Sequence, residues 1–459
     1  MTAVPIVADP GLIRRYDRPG PRYTSYPTAD RFTTTYDVQQ HQCTLASRAD
    51  SAQPLSLYIH LPFCNTICYY CACNKVVTKD HGRSAKYLRY LEHEFRLVAD
   101  SLPGSRKVEQ LHLGGGTPTF LSVPELRLLL KNLSQHFELL PGEYALEIDP
   151  RSVDRDKIAA LGQLGFNRMS IGVQDFDPAV QAAVNRIQSE EETAAAIEAA
   201  RCNGVTSINI DLIYGLPKQS IAGFQRTLER VISLRPDRIA LYSYAHLPGM
   251  FKPQRRIAES DLPLPEIKLQ IMVLAIHVLT EAGYVYIGMD HFALPHDELA
   301  IAAQQSRLQR NFQGYSTRPD CDLLAFGISA ISKVGSVYSQ NVRTLDEYYD
   351  RLDKNELPVL RGIVLTADDL VRRDVIASLM CRFELSIPAV EARHTIHFHD
   401  YFAAEWPAVQ ELQQEGLLDL EAERIAVTPR GRLLVRAIAM VFDKYLRNGA
   451  TPARFSKVI

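Results

Sequence analysis

Leu55-Ser-Leu-Tyr58-Ile-His60-Leu-Pro-Phe-Cys64-Asn-Thr-Ile-Cys68-Tyr-Tyr70-Cys71-Ala-Cys73 is the stretch around which the rest of the chain arranges itself. An apolar, strand-like run leads directly into a loop with thiols at C-x3-C-x2-C spacing. A closed zinc site usually draws on two separated ligand pairs. Here the sulfurs crowd into one segment, which does not easily surround a small ion. A larger, soft partner, an iron–sulfur cluster held by thiolates, fits better. Three protein ligands leave one iron of a four-iron cube open to a substrate or cofactor. Zinc stays open on spacing alone. Four of the eight cysteines fall in this loop, so a coincidence of core cysteines is a poor account. Cys73 is the odd member, and spacing assigns it no role.

Composition sets the bounds. The 459 residues suffice for one large domain and a smaller one. A 46% apolar and 23% charged composition is that of an ordinary globular protein. A net charge of -2 gives no broad electrostatic case for nucleic acid or an anionic membrane as partner. No apolar run is long enough to span a bilayer, and Met-Thr-Ala-Val-Pro-Ile-Val-Ala-Asp-Pro lacks the pattern of a signal peptide. The remaining cysteines, Cys43, Cys202, Cys321 and Cys381, are scattered. That usage suits a reducing cytoplasm better than a disulfide framework. No oligomerisation signal is visible, and a monomer is expected.

Three regions follow: an arm and leader at 1–50, a barrel and its extension at 51–360, and a C-terminal helical domain at 361–459. In the first, Tyr16-Asp-Arg-Pro-Gly-Pro-Arg22-Tyr23-Thr-Ser-Tyr26-Pro-Thr-Ala-Asp has neither helical nor strand periodicity. Its prolines stiffen it. It reads either as a solvated leader or, given its tyrosines and Arg14, Arg15, Arg18 and Arg22, as an arm folded across an anionic ligand.

From residue 55 strand-like runs alternate with amphipathic helices. The strands are Leu55–His60, Val108–Leu113, Tyr144–Ile148, Arg168–Val173, Ser207–Ile213 and Arg238–Tyr244. Helical patterns lie near 84–99, 123–137, 154–164, 189–202 and 220–233, and a longer one at 264–282. This rhythm argues for α/β architecture: a parallel sheet with right-handed crossovers, a partial (β/α)6 barrel short of the usual eight units. Barrel chemistry sits at the C-terminal ends of strands. There the sequence places Gly114-Gly115-Gly116-Thr117, Glu147-Ile-Asp149, Gln174-Asp175, Asp211 within the fifth strand, and Tyr244-Ala245-His246. Each of Glu147, Gln174 and Asp211 could be an ordinary satisfied polar residue. Together they point to one mouth, where glycine backbone lets a ligand approach closely. Further on, His291 between Asp290 and Phe292 reads equally as structural or as near a substrate.

Beyond 360, Asp368–Arg382, Ile387–His394 and Tyr401–Glu415 read as helices, followed by a hairpin at 416–428 and a closing helix at Gly431–Leu446. This is winged-helix-like. Such modules often bind DNA, but interspersed acidic residues favour a lid or packing role.

C-x3-C-x2-C is the signature of the radical S-adenosylmethionine (SAM) enzymes. The chain resembles, over almost its whole length, the oxygen-independent coproporphyrinogen III oxidase (dehydrogenase) family of anaerobic haem biosynthesis. The likeness is carried by Gly20-Pro-Arg-Tyr-Thr-Ser-Tyr-Pro-Thr, the cysteine loop with Cys73, Gly114–Thr119, Tyr244-Ala-His-Leu-Pro, Gly288-Met-Asp-His-Phe and Arg310–Tyr315. The resemblance implies a 4Fe-4S cluster on Cys64, Cys68 and Cys71, with two SAM molecules in one site. Tyr58, Gly114, Glu147 and Ile331 would contact the cluster-bound SAM. Tyr70, Gly115, Gly116, Gln174, Arg186, Asp211 and Ala245 would contact the second. Tyr70 departs from the family's usual Phe but keeps an aromatic face. The implied reaction is oxidative decarboxylation of two propionates of coproporphyrinogen III to vinyl groups, giving protoporphyrinogen IX, initiated by a 5′-deoxyadenosyl radical. An electron donor and an electron acceptor are implied, and no catalytic acid or base. The arm arginines are the candidates for the remaining substrate carboxylates.

Three rivals stand beside this reading. Related haem carriers lack the tyrosine-rich arm and extra Cys and show His-Asn-x-x-Tyr, whereas here Arg310 precedes Asn311. A radical SAM methyl or methylene transferase is poorly discriminated by sequence. A zinc-stabilised winged-helix DNA-binding protein conflicts with the charge and the barrel rhythm.

Overall fold

The computed structural model describes residues 6–318, 321–447 and 455–458. The leading Met-Thr-Ala-Val-Pro read above lies outside them. The chain forms two compact units, each assembled from separated segments. One holds residues 32–264 and 321–364, the other 6–31, 265–318, 365–447 and 455–458. The first break follows Arg31 rather than residue 50, and residues 265–318 belong with the second unit rather than with the strands before them.

The first unit carries the alternating pattern. Its strands are β1 (Leu55–Leu61), β2 (Lys107–Gly115), β3 (Glu138–Ile148), β4 (Arg168–Gln174), β5 (Ser207–Tyr214) and β6 (Arg238–Ser243). They lie side by side in that order, all parallel. Between them run helices α1 (Gly82–Asp100), α2 (Val123–His136), α3 (Arg155–Gln163), α4 (Glu190–Cys202) and α5 (Ile221–Ser233). Local chemistry starts these helices cleanly. Ser122 with Glu125 and Ser189 with Glu192 form reciprocal capping boxes, while Asp154 and Ser220 accept from the backbone N–H of Lys157 and Gly223. Strands such as β4 are buried along almost their whole length, as expected when helices cover the sheet. No helix among the described residues is long and apolar enough to cross a membrane.

The sheet continues past β1 on the side away from β2. β7 (Asp322–Phe326) pairs parallel with β1, and β8 (Ile331–Val334), β9 (Val337–Asn341) and β10 (Val359–Val364) follow as an antiparallel meander. Sequence reading placed no strands here. β9, Val-Tyr-Ser-Gln-Asn, is buried throughout despite three polar residues, so it lacks the alternation that marks a half-buried strand.

Gln340 is satisfied by Ser329 O and Arg361 Nε, and Asn341 by Glu94 on α1. The Glu94 carboxylate accepts from Tyr348 Oη at 2.6 Å, Asn341 Nδ2 at 2.6 Å and Gly327 N at 2.8 Å. Burial pushes Glu94 up to about 7, against the pull of those donors.

The second unit contains the helix Pro265–Glu281, the hairpins Val285–Gly288/His291–Ala293 and Gln309–Asn311/Gly314–Ser316, and the C-terminal helices. Helices at Ala367–Arg382 and Ile387–His394 match the sequence reading, and a strand not anticipated, Glu384–Ser386, joins Arg424–Val427 and Leu418–Leu420 in a small sheet. Two expected helices are interrupted. Tyr401–Glu415 stops at Tyr401 and restarts at Trp406, with Pro407 in the new first turn. Gly431–Leu446 is broken into short pieces at 432–434, 435–439, 440–442 and 444–447. Asp443 turns extended there, its carboxylate accepting from Tyr23 Oη at 3.0 Å and Tyr445 N at 2.9 Å.

The arm is therefore core rather than leader. Tyr23 and Tyr26 are buried, and Arg436 donates to the carbonyls of Gly20 and Pro21 and to those of Lys457 and Val458. Its arginines divide: Arg22 pairs with Asp290, Arg15 pairs with Glu411 and Glu415, and Arg14 and Arg18 are exposed.

Glu94→Gln turns an amide NH2 toward the Asn341 donor, at a cost of about 1–3 kcal/mol. A lowered unfolding midpoint is expected, and an unchanged one would refute the role given to the network. The sign of its pH dependence follows from a raised pKa. The contribution is fully present below about pH 4.5, where both states hold the proton, and is lost as pH rises through about 7. The variant should flatten that slope.

Candidate active site

At the C-terminal ends of β1–β5 lies a cleft of about 430 Å³, within the usual range for small-molecule sites. Its first wall is the loop after β1. Backbone bonds brace that loop from both flanks: Thr117 N donates to Phe63 O at 2.9 Å, Gly116 N to Leu61 O at 2.8 Å, and Tyr69 N to Val184 O at 2.9 Å. Asn185 Nδ2 adds a bond to Ile67 O at 2.7 Å. Lys75 Nζ ties the loop's end to the carbonyls of Cys71 and Cys73 at 3.0 and 3.3 Å.

The glycine run behaves as its composition requires. A Cβ on Gly116 would lie 2.5 Å from Pro62 O, and Gly115 has φ +117° with the His60 ring 2.7 Å from any Cβ. Only glycine lets these two loops close on each other. Gly114 abuts Glu147 and Tyr58 in the same way.

Cys64, Cys68, Cys71 and Cys73 all border the cleft, as do Tyr70, Gly115, Gly116, Glu147, Gln174, Arg186 and Asp211. Tyr58, Gly114, Ala245 and Ile331 do not line it. Tyr58 stands behind Glu147, stacked on His112 and bonded through its hydroxyl to His60 Nδ1 at 3.1 Å. Ala245 is joined to Tyr70 by Gln254, whose amide donates to both carbonyls at 3.2 and 3.0 Å. Ile331 begins β8, half-buried opposite Gln340. His291 lies in the other unit, its ring edge-on to Tyr315.

The electrostatics are mixed by design of the strand ends. Burial alone would raise Glu147, but the hydrogen bond and charge of His112 and the N–H of Gly115 at 3.2 Å outweigh it and hold the carboxyl below its ordinary range. Burial lifts Asp211 to about 6, although Ser170 Oγ and Asn209 Nδ2 donate to it at 2.9 and 2.8 Å. Arg186 donates to Gly172 O at 2.6 Å and Asp149 Oδ2 at 3.2 Å, while its Nε is buried without a partner. Burial pushes the Cys64 thiol up to about 11. Cys71 is drawn down to about 6, first by a hydrogen bond with Cys73 and then by the Lys75 charge.

This donor set fits a soft cluster. Three thiols lie on one loop, guanidinium N–H groups reach a sulfur, and side-chain-free backbone faces open space. Among the described residues no three His, Cys, Asp or Glu side chains converge as a cage for a single ion. Sequence reasoning overlooked Lys75, Arg151 and Gln254. Arg151 had a signal, lying three residues past a barrel strand's end. Gln254 had none, because its reach to Tyr70 depends on the loop path after β6.

The comparisons agree with one another. The model of the radical SAM superfamily matches residues 58–231, and that of the HemN C-terminal domain matches 365–434. The chain is 52% identical over 454 residues to an oxygen-independent coproporphyrinogen III oxidase of Pseudomonas aeruginosa, covering 98% of each chain. It is 48% identical to that of Escherichia coli, again over 98% of each. The solved coproporphyrinogen III oxidase HemN from Escherichia coli, described as a radical SAM enzyme, superposes with TM-score 0.91 at 46% identity, over 96% of this chain and 99% of that one.

Gly116→Ala should push the glycine run away from Pro62 and disorder the thiol loop. After anaerobic reconstitution it is expected to take up markedly less iron than the unaltered protein. Full iron content would show that the close approach is dispensable.

Proposed function

Since this chain belongs to the oxygen-independent coproporphyrinogen III oxidase family, we propose that it converts two propionates of coproporphyrinogen III to vinyl groups, giving protoporphyrinogen IX in anaerobic haem biosynthesis. In each conversion the propionate loses carbon dioxide, one β-hydrogen atom and one electron. The observation that carries the reading is the cysteine loop at the mouth of a parallel sheet, in a chain almost half identical to named oxidases from end to end.

Cys64, Cys68 and Cys71 are the residues to hold a 4Fe-4S cluster, and SAM is the cofactor beside it. When bound, the pair supplies the one-electron cleavage of SAM and hydrogen-atom abstraction that no acid or base side chain can perform. The protein's own part is binding, orientation and exclusion of water. The backbone of Gly114–Gly116, bare of side chains, lets an amino-acid moiety approach the cleft wall closely. Glu147, kept ionised by His112 and Gly115, accepts from an ammonium or a ribose hydroxyl. Asp211 does the same from β5, and Arg186 keeps its buried Nε–H for a carboxylate.

A second SAM molecule belongs to the proposal. Tyr70, Gly115, Gly116, Gln174, Arg186 and Asp211 border a single cleft, with Ala245 held to Tyr70 through Gln254. Tyr58, Gly114, Glu147 and Ile331 are the set for the cluster-bound molecule, and Gly114 lies against both Tyr58 and Glu147. An external reductant and an external acceptor complete the electron balance, with the enzyme acting as a monomer.

The deciding assay combines anaerobically reconstituted protein, SAM, a strong reductant and coproporphyrinogen III, scored for divinyl product and 5′-deoxyadenosine together. Neither product appearing would remove the proposal. Cys64→Ala, Cys68→Ala and Cys71→Ala should each lose the cluster's visible absorbance, and full iron in all three would refute the ligand assignment. Asp211 is ionised only above about pH 6. SAM affinity should therefore weaken as pH falls through that value, and Asp211→Asn should bind weakly at every pH. An unchanged pH profile in the variant would contradict the assigned contact.

A further inference from the structure

Asp149 and Arg151 have no part in the assignments above, yet they bear directly on one thiol of the loop. Asp149 follows β3, and its carboxylate is enclosed by donors. Arg151 supplies its backbone N at 3.2 Å, Nε at 2.9 Å and Nη2 at 2.6 Å, and Arg186 supplies Nη1 at 3.2 Å. The same two terminal nitrogens direct a further N–H to Cys68 Sγ, from Arg186 at 3.6 Å and from Arg151 at 3.7 Å. The side chains are only 21%, 8% and 13% exposed for Arg151, Arg186 and Asp149. Two cations and one anion thus leave one positive charge against a single sulfur, in a setting poorly screened by water.

We propose that Arg151, held in place by Asp149 and acting with Arg186, sets the reduction potential of the cluster that Cys68 helps to ligate. This rests on the cluster reading at Cys64, Cys68 and Cys71. One electron from the external reductant converts the oxidised cluster to the reduced one, adding one negative charge and no proton. A guanidinium that hydrogen-bonds a ligating sulfur stabilises the more negative state, because hydrogen bonds to sulfur and local charge are levers on such potentials. Arginine suits the place better than lysine. Its planar fork grips Asp149 and Cys68 at once, and it does not lose its proton. Arg151 is a positioning and tuning residue, acting through Cys68 rather than on substrate.

The test is a potentiometric titration followed by the electron paramagnetic resonance of the reduced cluster, on reconstituted protein without substrate. Arg151→Gln should move the midpoint to a more negative potential by about a tenfold change in the one-electron equilibrium, about 59 mV. Asp149→Asn, which removes the opposing charge and leaves Arg151, should move it the other way. A residue that merely braces the loop would not give shifts of opposite sign. Unchanged midpoints, or shifts in the same direction, overturn the proposal, and so does loss of the cluster from both variants. Iron content and the cluster signal of the unaltered protein test the underlying reading separately. Their absence there ends both ideas, whereas their presence with unmoved midpoints ends only this one.

Discussion

A missing side chain governs the site. Where Gly116 would begin a Cβ, Pro62 O lies 2.5 Å away. Because nothing fills that space, the loops after β1 and β2 hydrogen-bond through backbone alone, at Gly116–Leu61 and Thr117–Phe63. The sulfur-bearing loop is thereby fixed against the rim of the sheet instead of ranging over solvent. Several features of the cleft lie against that closure. Glu147 reaches the Gly115 N–H, Thr117 Oγ1 approaches Cys64 Sγ at 3.5 Å, and the thiols share the cleft with Arg186 and Asp211.

The cleft also balances its charges strand by strand. Glu147 at the end of β3 is matched by His112 on β2. Asp149 is matched by the guanidiniums of Arg151 and Arg186. Asp211 is held by hydroxyl and amide donors and feels the Arg186 charge only weakly, so burial lifts it while the other two carboxyls, closer to their cations, stay low. A cationic ligand therefore meets its least neutralised partner at β5.

Much of this was legible in the chain itself. The six parallel strands and their helices were found within one to a few residues at most ends, because capping residues and long periodic runs are local signals. The exception was the early start of β3 at Glu138, where Pro141 and Gly142 interrupt the apolar run. The cleft was legible from residue types at strand ends, which is why Glu147, Gln174, Asp211 and the glycines could be brought together before any coordinates. What escaped notice depends on distant partners. β9 is buried by its bonds to another strand and to Glu94, not by its own pattern. The segment after Gly431 carries a helical rhythm, yet Tyr23, some four hundred residues earlier, draws Asp443 out of it. Arm and broken helix explain each other, and neither could be read alone.

That pairing bears on the order of folding. Arg436 clasps the carbonyls of Gly20 and Pro21, and of Lys457 and Val458. The arm thus waits for residues some four hundred positions further along the chain. Contacts of such sequence separation form slowly, since a long loop must close before they stabilise anything. Until then Tyr23 and Tyr26 have no apolar shelter, which leaves a nascent chain with aromatic surface for chaperones to cover.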